Sequence, residues 1–211
     1  MTRVKICGLT REIDVKVAVR LGAWACGFII TESQRHVSVA RAAELVPLTG
    51  TALAVAVVTT EEPEAIADAV AQAGFDAVQL SAGADGPDVA AVRAAAARRG
   101  GKPLVIAAAD TVDADAADYI LLDARTPEAY GGTGHTLDWK ALAAARLPRE
   151  RLVLAGGLRP SNADGAVKLL RPFAVDVSGG VESSAGVKDT KLLRAFFGVV
   201  AGADHSGGAA K

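Results

Sequence analysis

Residues 152–180 have the sequence LVLAGGLRPSNADGAVKLLRPFAVDVSGG, and this stretch contains a complete strand–helix–strand unit. Its two apolar runs, Leu152–Ala155 and Ala174–Val177, are short and rich in Val and Leu, which is typical of strands buried on both faces. Between them we predict a helix over Ala163–Leu170, and Pro160 suits the first turn of that helix. Small residues that include a glycine pair follow each apolar run. The stretch therefore predicts a βαβ unit with a glycine-rich loop after each strand.

The same unit recurs along the whole chain. Six more apolar runs precede this stretch, at residues 4–7, 26–30, 53–58, 77–80, 104–107 and 119–122. Helical patterns alternate with them, at residues 13–21, 64–73, 89–99, 137–145, 163–170 and 191–200, and residues 111–117 have room for only a short helix. Strict alternation predicts parallel strands with right-handed crossovers. Eight units fit a closed (β/α)8 barrel, the TIM barrel, better than an open doubly wound sheet.

The composition excludes several classes of protein. Of 211 residues, 51% are hydrophobic and only 4% are aromatic, so Ala, Val, Leu and Ile must fill the core. A net charge of −1 argues against a general electrostatic affinity for nucleic acid. No apolar run reaches bilayer-spanning length, and the first residues lack a signal-peptide pattern. We expect a cytoplasmic protein without a nucleic-acid or membrane partner.

The sequence also predicts a single domain without a metal or cofactor. We expect residues 1–201 to form the catalytic barrel and residues 202–211, which are small and polar, to form a frayed or disordered tail. Neither the glycine fingerprint of dinucleotide-binding folds nor a Walker loop occurs. Cys7 and Cys26 lack metal-site spacing, and the three histidines are scattered along the chain.

Two glycine-rich loops predict where a ligand binds. Gly156 and Gly157 follow the seventh strand, and Ser178, Gly179 and Gly180 follow the eighth. Glycine lets a backbone approach a ligand closely and turn its N–H groups toward one point. The loops after strands seven and eight commonly hold phosphate in this fold. Tight turns would explain either pair alone, but both pairs together favour a phosphate site.

Cys7 and Asp123, at the ends of strands one and six, are the candidates for proton transfer. An unperturbed thiol costs about 2 kcal/mol to deprotonate at pH 7, and an unperturbed aspartic acid costs about 4 kcal/mol to keep protonated. An acid and a base facing one pocket can drive an isomerisation. The alternative interpretations are that Cys7 is a small buried hydrophobe and that Asp123 caps a helix or joins an ion pair.

Lys5 lies two residues before Cys7 and should face the same side of its strand. It is a candidate Schiff-base nucleophile, as in an aldolase. Its greater depth in the barrel favours a buried ion pair instead, with Asp176 on neighbouring strand eight as the partner. Cys26 and Trp24 are interpreted as packing residues.

Several motifs, in order along nearly all of residues 1–200, resemble the phosphoribosylanthranilate isomerase family of tryptophan biosynthesis. The first and last of them are the most specific. The motifs are Lys5-Ile6-Cys7-Gly8-Leu9-Thr10, Ser33-Gln34-Arg35-His36-Val37, Val78-Gln79-Leu80, Leu121-Leu122-Asp123, Gly131-Gly132-Thr133-Gly134, Asp138-Trp139, Leu154-Ala155-Gly156-Gly157-Leu158, Asp176-Val177-Ser178-Gly179-Gly180-Val181-Glu182 and Gly186-Val187-Lys188-Asp189.

The resemblance implies an Amadori rearrangement without cofactor or metal, acting on a small phosphorylated substrate. Asp123 would protonate the furanose ring oxygen, and Cys7 would then remove the proton on C2′. Arg35 would pair with the anthranilate carboxylate, and Asp176 would touch the substrate. The phosphate would lie on Gly156, Gly157, Ser178, Gly179 and Gly180. Barrels of this family occur as monomers and homodimers.

The sequence departs from the family pattern near the expected place of the aromatic ring. The departures are Gln34 and His36 beside the arginine, Ser81 after strand four, Ala108 at the end of strand five, and Gly179 where the family has a second serine. They leave open a paralogue that acts on a modified phosphoribosyl aryl amine, or a catalytically silent barrel that binds a phosphorylated ligand. The related isomerisation of histidine biosynthesis is disfavoured, because its enzymes place paired aspartates where this chain has Cys7 and Ala108.

Overall fold

A closed barrel of eight parallel strands organises the chain. The computed structural model describes residues 1–123, 142–143 and 147–206. The strands follow chain order around the barrel, and β8 pairs with β1 to close it, with Asp176 opposite Lys5. The predicted (β/α)8 fold is therefore confirmed. The strands are β1 Arg3–Ile6, β2 Ala25–Ile29, β3 Leu53–Val58, β4 Ala77–Leu80, β5 Leu104–Ala108, β6 Tyr119–Asp123, β7 Leu152–Ala155 and β8 Ala174–Val177.

Helices surround the barrel in the described part of the chain. They are α1 Glu12–Arg20, α2 Val39–Leu45, α3 Pro63–Ala73, α4 Val89–Arg98, α5 Ala163–Leu170 and α6 Thr190–Ser206. Helix α2 was not predicted, although Ser38 caps it by accepting a hydrogen bond from the Arg41 N–H at 3.1 Å. A 3-10 turn, Ala114–Ala116, replaces the short helix expected over residues 111–117. Most of the helix predicted over residues 137–145 lies outside the described residues.

Side chains on each strand alternate between the barrel interior and the layer beneath the helices. Val55, Ile106, Leu121 and Val153 belong to the interior cluster, which also contains Cys7. Because side chains two residues apart on a strand share a face, Lys5 points inward with Cys7. By the same rule Asp123 points inward above Leu121, and Asp176 points inward above Ala174.

Aromatic rings close the amino-terminal end of the barrel. Trp24, Tyr119 and Phe173 contact one another with ring centroids 4.7–5.2 Å apart. The Arg3 guanidinium lies 4.3 Å from the centre of the Phe173 ring. Trp24 is thus a packing residue, as the sequence predicted. Since packed aromatic rings fill this end, the opposite mouth is where loops and strand ends can form a site.

The last helix extends into the segment that the sequence predicted to be a frayed or disordered tail. Helix α6 continues to Ser206, and Ala203 is buried in the main core. The Asp204 carboxylate accepts hydrogen bonds from the Thr2 N–H at 2.6 Å and from the Thr2 hydroxyl at 2.9 Å. These long-range contacts stabilise residues 202–206, so the expectation of a frayed segment was wrong there. Residues 207–211 lie outside the described residues. None of the described helices is both long and apolar enough to span a bilayer.

Candidate active site

The candidate residues lie at the carboxyl ends of four strands that meet at one mouth of the barrel. Cys7 follows β1, Asp123 ends β6, and the glycine-rich loops follow β7 and β8. Asp123 is opposite Ala155 in the pairing of β6 with β7, next to the first of those loops. Residues 124–141, which include the predicted Gly131–Gly134 and Asp138-Trp139 motifs, lie outside the described residues.

Cys7 lies above a buried ion pair. The Lys5 ammonium is 3.0 Å from Oδ2 of Asp176, and their side chains are 0% and 8% exposed. The predicted Lys5–Asp176 pair is therefore confirmed, and a Lys5 that is buried and ionised is a poor Schiff-base nucleophile. Gly27 on β2 leaves room for the group, since a Cβ there would lie 3.1 Å from the Cys7 sulfur and 3.2 Å from the Lys5 nitrogen.

The electrostatics of this cluster act on the thiol in opposite directions. Burial raises the pKa of the Cys7 thiol above its ordinary value, and the Asp176 carboxylate adds to the rise. The Lys5 and Lys188 ammonium groups counteract the rise in this pKa by stabilising the thiolate. Burial would lower the pKa of Lys5, but the charges of Asp176 and Cys7 outweigh it and raise that pKa. Lys5 therefore remains a cation beside the sulfur.

Five buried side-chain polar atoms in the described part of the chain have no hydrogen-bond partner there, and three of them matter for the candidate site. These three are Oδ1 of Asp176, Oγ of Ser178 and Oε1 of Gln79. Buried polar atoms are seldom left unpaired without a functional reason or an unseen partner. The two carboxylate oxygens of Asp176 therefore differ. Oδ2 accepts a hydrogen bond from Lys5, whereas Oδ1 accepts none within the described chain.

The two glycine-rich loops are in direct contact. Gly156 and Gly157 have φ angles of +89° and +63°, which favour glycine. A Cβ on Gly180 would lie only 1.8 Å from the carbonyl oxygen of Leu158, so the loops pack together only with glycine at this position. The β8 loop continues as a 3-10 turn, Gly179–Val181. These glycines therefore have a backbone role whatever ligand the loops bind.

Arg35 reaches the same mouth and is held by Glu182, a residue to which the sequence analysis gave no role. The Nε of Arg35 lies 2.9 Å and 3.1 Å from the two Glu182 oxygens, and Nη2 lies 2.7 Å from Oε2. This pairing raises the pKa of Arg35. Burial would raise the pKa of Glu182, but hydrogen bonds from Arg35 and Lys188 lower it. Glu182 is therefore ionised at neutral pH.

Lys188 is the second residue that sequence reasoning missed. Its ammonium donates to the Cys7 carbonyl at 2.6 Å, to the Ser178 carbonyl at 3.2 Å and to Oε1 of Glu182 at 2.7 Å. Glu182 and Lys188 face each other in a small antiparallel hairpin, formed by β9 Glu182–Ser184 and β10 Val187–Lys188. Glu182 and Lys188 both lie in motifs that resemble the family, so their place in these motifs was the one sequence signal that they have a role. Their contacts could not be predicted, because they join residues up to 181 positions apart.

The structure shows the contacts and the exposure of four residues that depart from the family pattern. Ser81 accepts a hydrogen bond from Nε2 of Gln79 at 2.9 Å, and Ala108 is buried at the end of β5. His36 and Gln34 are exposed, and His36 forms an isolated bridge with Ile29. Across the described residues, no group of three His, Cys, Asp or Glu side chains has the geometry of a metal site.

Known proteins resemble this chain over almost its whole length. A family model described as N-(5'phosphoribosyl)anthranilate (PRA) isomerase matches residues 4–199. The N-(5'-phosphoribosyl)anthranilate isomerase of Geobacter sulfurreducens is 41% identical over 206 residues, which cover 93% of this chain and 97% of that relative.

Solved structures give the same result. One is a phosphoribosyl anthranilate isomerase in complex with reduced 1-(o-carboxyphenylamino)-1-deoxyribulose 5-phosphate, with a TM-score of 0.74, 33% identity, and coverage of 96% of this chain and 100% of that one. Another describes monomers generated from the dimeric enzyme of Thermotoga maritima, with a TM-score of 0.78, 33% identity and the same coverage. On this evidence, the chain belongs to the N-(5'-phosphoribosyl)anthranilate isomerase family.

Proposed function

We propose that this chain isomerises N-(5'-phosphoribosyl)anthranilate to 1-(2-carboxyphenylamino)-1-deoxyribulose 5-phosphate, a step of tryptophan biosynthesis. The observation that carries the proposal is the family match over residues 4–199, in a barrel whose mouth holds Cys7, Asp123 and Arg35. The reaction is an Amadori rearrangement, in which an aldose amine becomes a ketose amine by proton transfers alone. An acid, a base and a clamp for the charged ends of the substrate are sufficient for it.

Cys7 and Asp123 divide the proton transfers. Asp123 protonates the furanose ring oxygen, and the ring opens to a Schiff base between C1′ and the anthranilate nitrogen. The Cys7 thiolate then removes the proton on C2′, and the electron pair moves toward the nitrogen to give an enolamine. Tautomerisation of the enol yields the ketone. The nearby Lys5 cation supports this role of Cys7, since it stabilises the thiolate inside a buried site.

Other residues of the mouth orient the substrate. The planar guanidinium of Arg35 suits the anthranilate carboxylate. The N–H groups of the loops that contain Gly156, Gly157, Ser178, Gly179 and Gly180 bind the phosphate, and the hydroxyl of Ser178 has no competing partner in the described chain. Asp176 accepts a hydrogen bond from a sugar hydroxyl through Oδ1, the oxygen that does not bond to Lys5.

The test is an assay of the purified protein with phosphoribosylanthranilate, followed by the loss of substrate fluorescence. We expect turnover by the parent protein and a loss of at least about 100-fold in kcat for Asp123→Asn, which cannot donate the ring-opening proton. Substituted anthranilate substrates run in parallel would show a preference for a modified ring. Absence of turnover on every substrate, with binding of a phosphorylated ligand retained, would instead support a silent barrel.

The extent of the domain, the oligomeric state and the location of the protein are also proposals. We infer one catalytic domain that, because α6 continues, extends to Ser206 rather than to residue 201. The dimeric Thermotoga maritima relative supports a homodimer or a monomer as the form in solution, and light scattering distinguishes the two. A cytoplasmic location is supported by the two free cysteines, Cys7 and Cys26.

A further inference from the structure

We propose that Glu182, anchored by Lys188, is a positioning residue that turns one fixed edge of Arg35 toward the substrate carboxylate. The inference rests on the carboxylate-binding role proposed for Arg35. The new element is that substrate selection by Arg35 depends on Glu182, because Glu182 occupies some of the guanidinium protons and leaves the others for the ligand.

The geometry of the pair leaves one edge of the guanidinium for a ligand. Glu182 engages the side edge of Arg35, formed by Nε and Nη2, at 2.7–3.1 Å. The end edge, formed by Nη1 and the second proton of Nη2, makes no hydrogen bond to the described residues. A planar carboxylate can accept two parallel hydrogen bonds from this end edge. An amine substrate without a carboxylate has nothing to place there.

Arg35 is also confined by two glycines. A Cβ on Gly8 would lie 2.5 Å from Cδ of Arg35, so the stem of the arginine passes directly over this residue. A Cβ on Gly179 would lie 3.3 Å from Nη2. The guanidinium therefore lies between the ends of β1 and β8, and Glu182 fixes its rotation within that slot.

Lys188 connects this arrangement to the rest of the site. The same ammonium that binds Glu182 also binds the carbonyl oxygens of Cys7 and Ser178. The side chains of Lys188 and Glu182 are 0% and 4% exposed, so water competes little for these bonds. The carboxylate clamp, the base and the phosphate loop are thus fixed to one buried cation.

The charges of the cluster favour an anion. Two cations, Arg35 and Lys188, share the single carboxylate of Glu182. The nearest other pair, Lys5 with Asp176, is internally neutral. While Cys7 is a neutral thiol, one positive charge of these five residues is left without a counter-charge, and Arg35 is the more exposed of the two cations that share Glu182. A substrate carboxylate would supply the missing charge.

The experiment compares two substrates in Glu182→Gln. The substrates are N-(5-phosphoribosyl)anthranilate and N-(5-phosphoribosyl)aniline, which differ only in the carboxylate. We expect the parent to prefer the first by about 100-fold in kcat/KM, as two charge-assisted hydrogen bonds imply. In Glu182→Gln this preference should fall at least about tenfold, mainly through a higher KM for the carboxylate substrate, because the lost orientation of Arg35 outweighs the positive charge that the substitution adds. Glu12→Gln, on the surface of α1, is the matched control and should keep the parent preference.

The outcomes separate the inference from the function on which it rests. A Glu182→Gln preference equal to the parent's, or equal losses on both substrates, would overturn the positioning role and leave Glu182 as a residue that only stabilises the hairpin. If that variant does not fold, Glu182→Asp keeps the charge but shortens the reach, and the same fall in preference is expected. A parent protein without preference for the carboxylate would overturn the role of Arg35 itself, and the inference with it.

Discussion

Lys5 and Asp176 form an ion pair across the seam between β1 and β8, where the barrel closes, with 3.0 Å between Nζ and Oδ2. Both side chains are buried, and the pair lies against the cysteine to which we assign proton abstraction. The pair therefore has two consequences. It buries one charged side chain on each side of the seam, and it places a cation beside the thiol.

Removing either partner of this pair should destabilise the fold strongly, and the two losses should not be additive. Lys5→Met leaves a buried carboxylate unpaired, and Asp176→Asn leaves a buried ammonium unpaired, so each should lower the free energy of unfolding by about 3–5 kcal/mol. The double variant removes both charges and should lose clearly less than the sum of the two. Urea unfolding followed by circular dichroism measures all three. Strictly additive losses would mean that the two charges do not depend on each other.

The Cys7 thiol should ionise at a higher pH than a free cysteine. Burial raises its pKa, and the Asp176 carboxylate adds to the rise. The pH profile of kcat/KM does not report this pKa alone, because the mechanism needs Asp123 protonated while Cys7 is deprotonated, and the two requirements change in opposite directions with pH. We therefore follow the rate of alkylation of Cys7 by iodoacetamide in Cys26→Ala, which lacks the other cysteine, and expect this rate to keep rising above about pH 8.5, where a free cysteine is half ionised. A half-maximal rate at or below about pH 8.5 would contradict a raised pKa for the base.

Gly180 should be the least replaceable residue of the phosphate loops. In Gly180→Ala the new methyl group would overlap the Leu158 carbonyl, 1.8 Å away, so one of the two loops has to move. We expect a KM for substrate that is at least about tenfold higher, because the N–H groups that bind phosphate no longer converge. Gly198→Ala, on an exposed turn of α6 where a Cβ meets no described atom within 4 Å, is the matched control and should leave KM unchanged. Equal KM values in the two variants would show that the β8 loop does not contribute to phosphate binding.

The strands and the deepest ion pair could be predicted from the sequence because both depend on local rules. Alternating apolar runs define β1 to β8, and the two-residue repeat of a strand places Lys5 beneath Cys7. Helix α2 was missed although its capping residue, Ser38, stands in the sequence, because the seven residues that follow are few for a periodic pattern. The helical residues 202–206 were missed because their stability comes from Thr2, at the other end of the chain.

The network around Arg35 could not be derived from the sequence in the same way. Glu182 and Lys188 act on residues that are 147 and 181 positions away, and no periodicity reports such contacts. Their neighbours in the chain, Ser183 and Ser184, are ordinary polar residues of a short hairpin. Only the closure of the barrel brings this hairpin beside the end of β1, where Lys188 binds the Cys7 carbonyl.

The most direct measurement of the central claim is the steady-state rate of Cys7→Ser with phosphoribosylanthranilate, beside Cys26→Ala. A serine hydroxyl is a far weaker acid than a thiol, so the base is lost while the shape of the pocket is kept. We predict a fall in kcat of about 10²–10⁴-fold with KM within a few-fold of the parent value, because proton abstraction occurs only in the transition state. Cys26→Ala, which changes the other buried cysteine, should retain the parent kcat. Turnover by Cys7→Ser close to that of the parent would show that Cys7 is not the base and would contradict the account.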